Sequence, residues 1–356
     1  MKLLHVMAGA PTGGAENIFL ESVLALADAP YAQAVVTRPN NDVRIERFRA
    51  RGIEVSTASF DPLLRWRTSG VIEDVVRRFQ PDVIQYWMGR AGTFATKRSI
   101  AQVGWYGGYY ALKRFRHCDA HVALTEDIAR HIVNEGAKPD EVAIIRTFAD
   151  FEPVAPTPRA GLDTPENAPV LLALARLHWK KGLDILLKAL PALPGAYAWI
   201  AGDGPLKDEL IALAAKEGVA DRVRFLGWRD DRAALLAAAN VCVFPSRYEP
   251  FGTVVVDAWA AGVPLVTAKA KGPAATVTHN GDGLLVEIDD IAGLTAAIKR
   301  VLQEPGLSDK LVAGGQRTYQ AKFTKAVFLA DSRAFYTKLA AAKAEAPVRF
   351  AALRVL

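Results

Sequence analysis

The chain has 356 residues, 51% hydrophobic and 23% charged, without low-complexity stretches; this excludes a disordered protein and is too long for one ordinary core. No apolar run approaches the roughly 18 residues of a membrane span, and the short apolar start of MKLLHVMAGAPTGG runs straight into glycines, which reads as a first strand rather than a secretory leader. The 44 Lys+Arg against 38 Asp+Glu favour an anionic partner, while Cys118 and Cys242 lie far apart and read as core thiols in a reducing cytoplasm.

In chain order, Leu3–Ala8, Ala32–Thr37, Val83–Trp87, Val122–Thr125 and Val142–Ile145 are β-rich runs, separated by helix-like segments such as Ala15–Ala27 and Ser69–Phe79. Residues 151–169, FEPVAPTPRAGLDTPENAP, hold five prolines and no period, and form the best linker candidate. Alternation then restarts: strand Val170–Ala175, helix Leu183–Leu190, strand Ala198–Ala201, helix Leu206–Lys216, strand Val223–Leu226, helix Ala233–Ala239, strand Val241–Pro245. Two successive βα arrays predict two doubly wound α/β domains, residues 1–155 and 156–325. Ligands of such sheets lie beyond the carboxyl ends of the strands, so two facing domains would hold one in a central cleft.

The loops at those strand ends carry the chemistry. GAPTGGAEN (9–17) follows the first strand, and bare backbone at Gly13 and Gly14 permits close approach by a phosphate or sugar, although the spacing is not that of a dinucleotide fingerprint. In ARLHWKKGLD, Arg176 and Lys181 bracket a strand-to-helix loop and suit either one diphosphate or bulk solvent. Gly202 and Gly204 of AGDGP make another tight turn, with Pro205 opening a helix. In RYEPFGTVVVDAWAAG (247–262), the amides of Gly252, Thr253 and Val254 are first-turn donors suited to an anion. Asp257 shares a helix face with Thr253 and would repel a phosphate, so it suits neighbouring ribose hydroxyls; Glu249, beyond the amides, suits the hydroxyls of a hexose. The alternative for Asp257 is a purely electrostatic role in the helix.

These residues resemble the family 4 glycosyltransferases, retaining enzymes of GT-B fold. Their Glu-x7-Glu signature is matched by Glu249-PFGTVVV-Asp257, with Asp in place of the second Glu. Gly13–Gly14, Arg176, Lys181, the GDGP turn and the loop Pro250–Phe251–Gly252 resemble the family's donor-binding elements, and TKAVFLADSRAFYTKLAAAKA resembles its helix crossing back to the first domain, which with a tail makes a third segment, 326–356. The resemblance implies transfer of a hexose from a nucleoside diphosphate sugar with retention and no metal ion or other cofactor. Arg176, Lys181 and Glu249 would serve the reacting centre. No Asp-x-Asp ends a predicted strand, and VIQYWMGRAG stands where many relatives carry a histidine; His117 and His121 read as structural. The rival readings are a nucleotide-sugar epimerase of the same fold and a two-lobed sugar-binding protein.

Between Asp82 and Asp119 there is no acid, but six Lys/Arg and eight aromatics. Cations among amphipathic rings suit anionic headgroups. This assigns Trp87, Arg90, Trp105, Tyr109, Lys113, Arg114 and Arg116 to an acceptor and membrane side serving a lipid-linked or saccharide acceptor at the inner leaflet; the alternative is a solvated face over a buried aromatic cluster. No nucleic-acid-binding motif accompanies the patch.

Overall fold

Runs such as VIQYW and VLLAL are apolar without alternation, as strands covered on both faces must be. The computed structural model describes residues 1–152 and 154–344, and side chains to 342. It divides into two units, Met1–Thr147 with the chain from Lys325 onward, and Phe148–Thr324. Among the described residues the first unit has strands β1 (Lys2–Met7), β2 (Ala32–Thr37), β3 (Glu54–Thr57), β4 (Val83–Trp87), β5 (Ala101–Tyr106), β6 (Ala120–Ala123) and β7 (Val142–Ile144), all parallel, in the order β3-β2-β1-β4-β5-β6-β7. The second has β8 (Val170–Leu174), β9 (Tyr197–Ala201), β10 (Val223–Gly227), β11 (Val241–Phe244), β12 (Leu265–Ala268) and β13 (Leu284–Val286), parallel in the order β10-β9-β8-β11-β12-β13. The sequence reading missed β3, β5, β12 and β13. β5, AQVGWY, was hidden because its aromatics were read as a surface.

Each order reverses once, between β1 and β4 and between β8 and β11. At such a switch point neighbouring loops leave in opposite directions and open a crevice at the carboxyl edge. The loop 9–13 and the short helix Met88–Gly92 flank the first, and the loops 175–182 and 245–252 flank the second.

The proline-rich 151–169 is not a free linker. Thr157 N donates to Ala234 O, and the Arg159 guanidinium donates to the carbonyls of Glu166, Ala168 and Ala238 and to Asn240 Oδ1, fastening the segment to the second unit. The chain changes unit earlier, at Thr147–Phe148, and again at Thr324–Lys325. Around these points Ala149 N donates to Phe323 O and Tyr319 Oη to Ala149 O. The helix Lys325–Ala344 packs in the first unit. Its Tyr336 hydroxyl donates to the buried Gln85 Oε1 of β4, its ring meets Tyr31 edge-on, and Lys325 pairs with Asp28. The tail expected after this helix, and Pro153, lie outside the described residues. Among these no helix is long and apolar enough to cross a membrane, and both cysteines are free.

Candidate active site

The second switch point gathers most of the residues singled out from sequence. β8 delivers the Arg176–Lys181 loop and β11 the loop 245–252, and Lys180 O accepts from the amides of both Arg247 and Tyr248, which ties the two loops together. The Arg247 side chain, which sequence reasoning missed, completes the tie: it forks onto Asp184 at 2.7 and 2.8 Å and reaches Trp179 O and Asp289. These partners hold the Arg247 guanidinium above its ordinary value and the Asp184 carboxyl below its own, against the burial that opposes the latter. Arg247 was legible only as one more arginine beside the signature.

Lys181 Nζ forms an ion pair with Glu249 Oε2 in a half-buried setting. The pairing brings together the two groups expected at the reacting centre. It presets each chain's position and leaves the ammonium other N–H donors for an anion. Arg176 is exposed on the same loop. Gly202 and Gly204 are required by packing: a Cβ at Gly202 would come within 2.0 Å of Ala175 O, and one at Gly204 within 2.4 Å of Leu177 O. Here glycine lets the 201–205 turn press against the Arg176 loop, to which it is bonded by Leu177 N donating to Asp203 O. These glycines shape the site through its wall.

Gly252 caps the helix Thr253–Ala260 with φ +91°, a conformation that disfavours any side chain. The turn thus presents the amides of Gly252, Thr253 and Val254 at the carboxyl edge. Phe251 and Val254 turn their side chains into the protein. The Phe251 ring is buried against Phe323, the Val254 side chain is buried, and Pro250 is half-buried. The Glu249 carbonyl is fixed by Gly272 N at 2.8 Å.

Asp257 is the unusual group. It is 6% exposed, and its carboxylate accepts no hydrogen bond among the described residues; the nearest cation is Arg232 Nε at 3.8 Å. Burial pushes its pKa up to about 6, with Arg232 pulling weakly the other way. A carboxylate kept from water without donors is costly unless a ligand supplies them. Arg232, itself over the Phe151 ring, was not identified from sequence.

In the first unit the Gly9–Gly13 turn is fastened from behind. Glu16 accepts from Ala10 N at 2.7 Å, while Asn40 donates to Gly9 O, Asn41 to Pro11 O and Arg44 to Ala10 O. Gly13 faces the Glu16 carboxylate and Gly14 opens the following helix to solvent. None of these supports carried a motif.

The acceptor-side assignment needs correction. Trp87 and Trp105 are 2% and 3% exposed, and their rings meet at 4.8 Å, tilted by 39°, in the core. The Trp87 indole donates to His5 Nδ1 at 3.2 Å, so His5 Nε2 donates to Gln33 Oε1 at 3.0 Å, and Gln33 donates to Val23 O. Burial pushes His5 down to about 4, keeping it neutral in that chain. Tyr86 and Tyr106 are buried as well, because β4 and β5 are interior strands, and Phe94 and Phe115, on the segments around them, are also buried. Tyr109 is half-buried, its hydroxyl on Asp127 and its ring on His131. Of the residues assigned to that side, the cations Arg90, Lys113, Arg114 and Arg116 are the exposed ones, Arg114 lying across Gly89. His121 is buried, with its pKa lowered by burial to about 4.

The family model "Glycosyl transferases group 1" matches residues 155–318, which contain the whole second switch point. The chain is 34% identical over 338 residues to the lipopolysaccharide core biosynthesis glycosyltransferase LpsD of Rhizobium meliloti (strain 1021), covering 91% of this chain and 95% of that one. It is also 34% identical over 327 residues to LpsE of the same organism, covering 91% and 96%. Among solved structures, Anabaena Alr3699/HepE in complex with UDP and glucose superposes with a TM-score of 0.80 at 20% identity, covering 95% and 99%. The lipopolysaccharide outer core galactosyltransferase WaaB in its apo form superposes at 0.69 and 16% identity, covering 94% and 98%. The fold shared with them is GT-B.

Proposed function

The chain belongs to the group 1 glycosyl transferases, and on that premise we propose that it is a retaining, metal-independent hexosyltransferase. The donor is a nucleoside diphosphate sugar, and the acceptor is a hydroxyl of a lipopolysaccharide core or similar lipid-linked saccharide, met at the cytoplasmic side of the membrane. The observation that carries the donor reading is the row at the second switch point: a buried carboxylate lacking hydrogen-bond donors, first-turn amides, then a Lys–Glu pair. Ribose hydroxyls would donate to Asp257, the diphosphate would meet the Gly252–Val254 amides with Lys181 and Arg176, and hexose hydroxyls would donate to Glu249. The names of LpsD and LpsE support the acceptor, and the UDP and glucose bound by the Anabaena protein support the donor class.

In the reaction the C1–O bond to the diphosphate breaks, and its electron pair leaves on the diphosphate oxygen. The acceptor oxygen bonds to C1 from the same face, and its proton passes to the departing oxygen. The charge growing on that oxygen is what Arg176, Lys181 and the amides stabilise. Lys181 gains a second partner without leaving Glu249, so little reorganisation is required.

The experiment is incubation with sugar nucleotides, with and without chelator, measuring free nucleoside diphosphate and the anomeric configuration of the product. Slow release without acceptor, unaffected by chelator, is expected. An isomerised sugar nucleotide would reveal an epimerase, and no release at all a binding protein.

A further inference from the structure

With the aromatics of β4 and β5 buried, the exposed apolar residues of the first unit concentrate elsewhere. After β3, Leu63 is 88% exposed and Trp66 is 68% exposed, three residues apart. The turn that carries them is ordered. Asp61 Oδ1 accepts from Leu63 N, Asp61 O accepts from Leu64 N, and Phe60 N donates to Thr68 Oγ1. The helix Arg65–Phe79 buries Thr68, Ile72 and Val75, a stripe at spacings of four and three, and Trp66 falls off that stripe.

Arg65 and Arg67 flank the indole. Arg67 lies over it at 5.1 Å, and Arg65 lies over the Phe94 ring at 4.4 Å while donating to Thr93. Neither is paired with a carboxylate among the described residues, and no acid occurs between Asp61 and Glu73. The helix has no acidic residue in its first turn, so its dipole adds positive potential at the same place. One exposed apolar side chain on a soluble surface is ordinary; two on one pinned turn that also carries two guanidinium groups without a carboxylate partner among the described residues point to a partner that is apolar inside and anionic outside.

We propose that the Leu63–Arg67 turn docks the protein on an anionic lipid surface. Leu63 and Trp66 enter the interfacial zone, and Arg65 and Arg67 meet headgroup phosphates. Charge complementarity selects lipid over a second copy of the chain, because a two-fold contact through this patch would set Arg65 and Arg67 against their own copies. The proposal rests on the reading that the acceptor is lipid-linked, and it moves the membrane contact from the Arg90–Arg116 interval to a turn the sequence reading passed over.

The test is co-sedimentation of the full chain with phosphatidylcholine vesicles containing increasing phosphatidylglycerol, in low and high salt. Partitioning should rise with phosphatidylglycerol and fall with salt. Leu63→Ser with Trp66→Ser should lower it at least about tenfold, and Arg65→Ser or Arg67→Ser about fivefold each. Lys113→Ser with Arg114→Ser and Arg116→Ser should retain most of it. Melting temperature and UDP affinity, read on the same samples, should not move. A parent that stays in the supernatant in low salt, or a Leu63/Trp66 variant that partitions like the parent, overturns the proposal. So does a variant whose only change is the splitting of a dimer in sedimentation velocity. Nucleoside diphosphate release from the sugar nucleotide, measured without lipid, keeps the two readings apart: if it persists while vesicle binding fails, the lipid surface is wrong and the transferase reading stands.

Discussion

Replacing Asp257 with Asn should make the ligand-free protein more stable while weakening its hold on nucleotide. The native carboxyl titrates at about 6 against 3.8 in the unfolded chain, because burial disfavours its charge. Between those values the unfolded chain has released the proton and the native protein has not, so stability falls as pH rises through the window and levels off above it. The difference amounts to about 1 kcal/mol at pH 4.5 and about 3 kcal/mol at pH 8, from 1.36 kcal/mol per pH unit. Asn keeps the shape and removes the charge, so the gain should have those sizes. In binding the sign reverses. Ribose hydroxyls donate to the ionised carboxylate, and such bonds are worth about 1.5–3 kcal/mol, at least a tenfold loss of UDP affinity when the charge goes. UDP affinity of the parent should also fall below pH 6, where the carboxyl holds its proton, and that of Asp257→Asn should not. Urea unfolding at the two pH values and titration calorimetry with UDP from pH 5 to 8 read both effects. A variant that is less stable than the parent at pH 8 yet binds UDP normally would refute the reasoning.

Lys181→Ala and Arg176→Ala should each lower turnover by about 2–4 kcal/mol of transition-state stabilisation with little change in melting temperature; near-parental rates would remove them from the diphosphate. Glu249→Gln should depress the rate while leaving UDP affinity near normal, because it loses the hexose contact and the ion pair to Lys181 but no nucleotide contact; a matching loss of UDP affinity would place Glu249 on the nucleotide instead. His5 and His121, lowered by burial to about 4 from 6.5, take up protons in the unfolded chain first. Stability should therefore be lost as pH falls from 6.5 towards 4, by roughly 3 kcal/mol for each histidine. Acid unfolding of His5→Gln with His121→Asn, made in the Asp257→Asn background because Asp257 titrates with the opposite sign, should show a flatter slope, and an unchanged slope would contradict it. Tyr336→Phe should cost about 1–3 kcal/mol by leaving Gln85 Oε1 buried without its donor, and a melting temperature equal to the parent's would show that Gln85 finds another partner.

The sequence by itself determined the βα alternation, because buried parallel strands must be continuously apolar and their connecting helices amphipathic. It also determined the Glu249–Asp257 spacing and the helix mouth between them, since caps and helical periods are local. Strand β3, EVST, carries one apolar residue and leaves too little pattern to read, and the short β12 and β13 were passed over. What tertiary structure decided was which side chains face in. A run with no acid and many rings has the same composition whether it coats a membrane or fills a sheet, and only the strand order, with β4 and β5 interior, put Trp87 and Trp105 in the core. The same holds for Asp257 and for Leu63 and Trp66. Burial without donors in one case, and exposure beside unpaired guanidinium groups in the other, depend on neighbours far along the chain or on the direction a pinned turn points, and neither is written in local spacing.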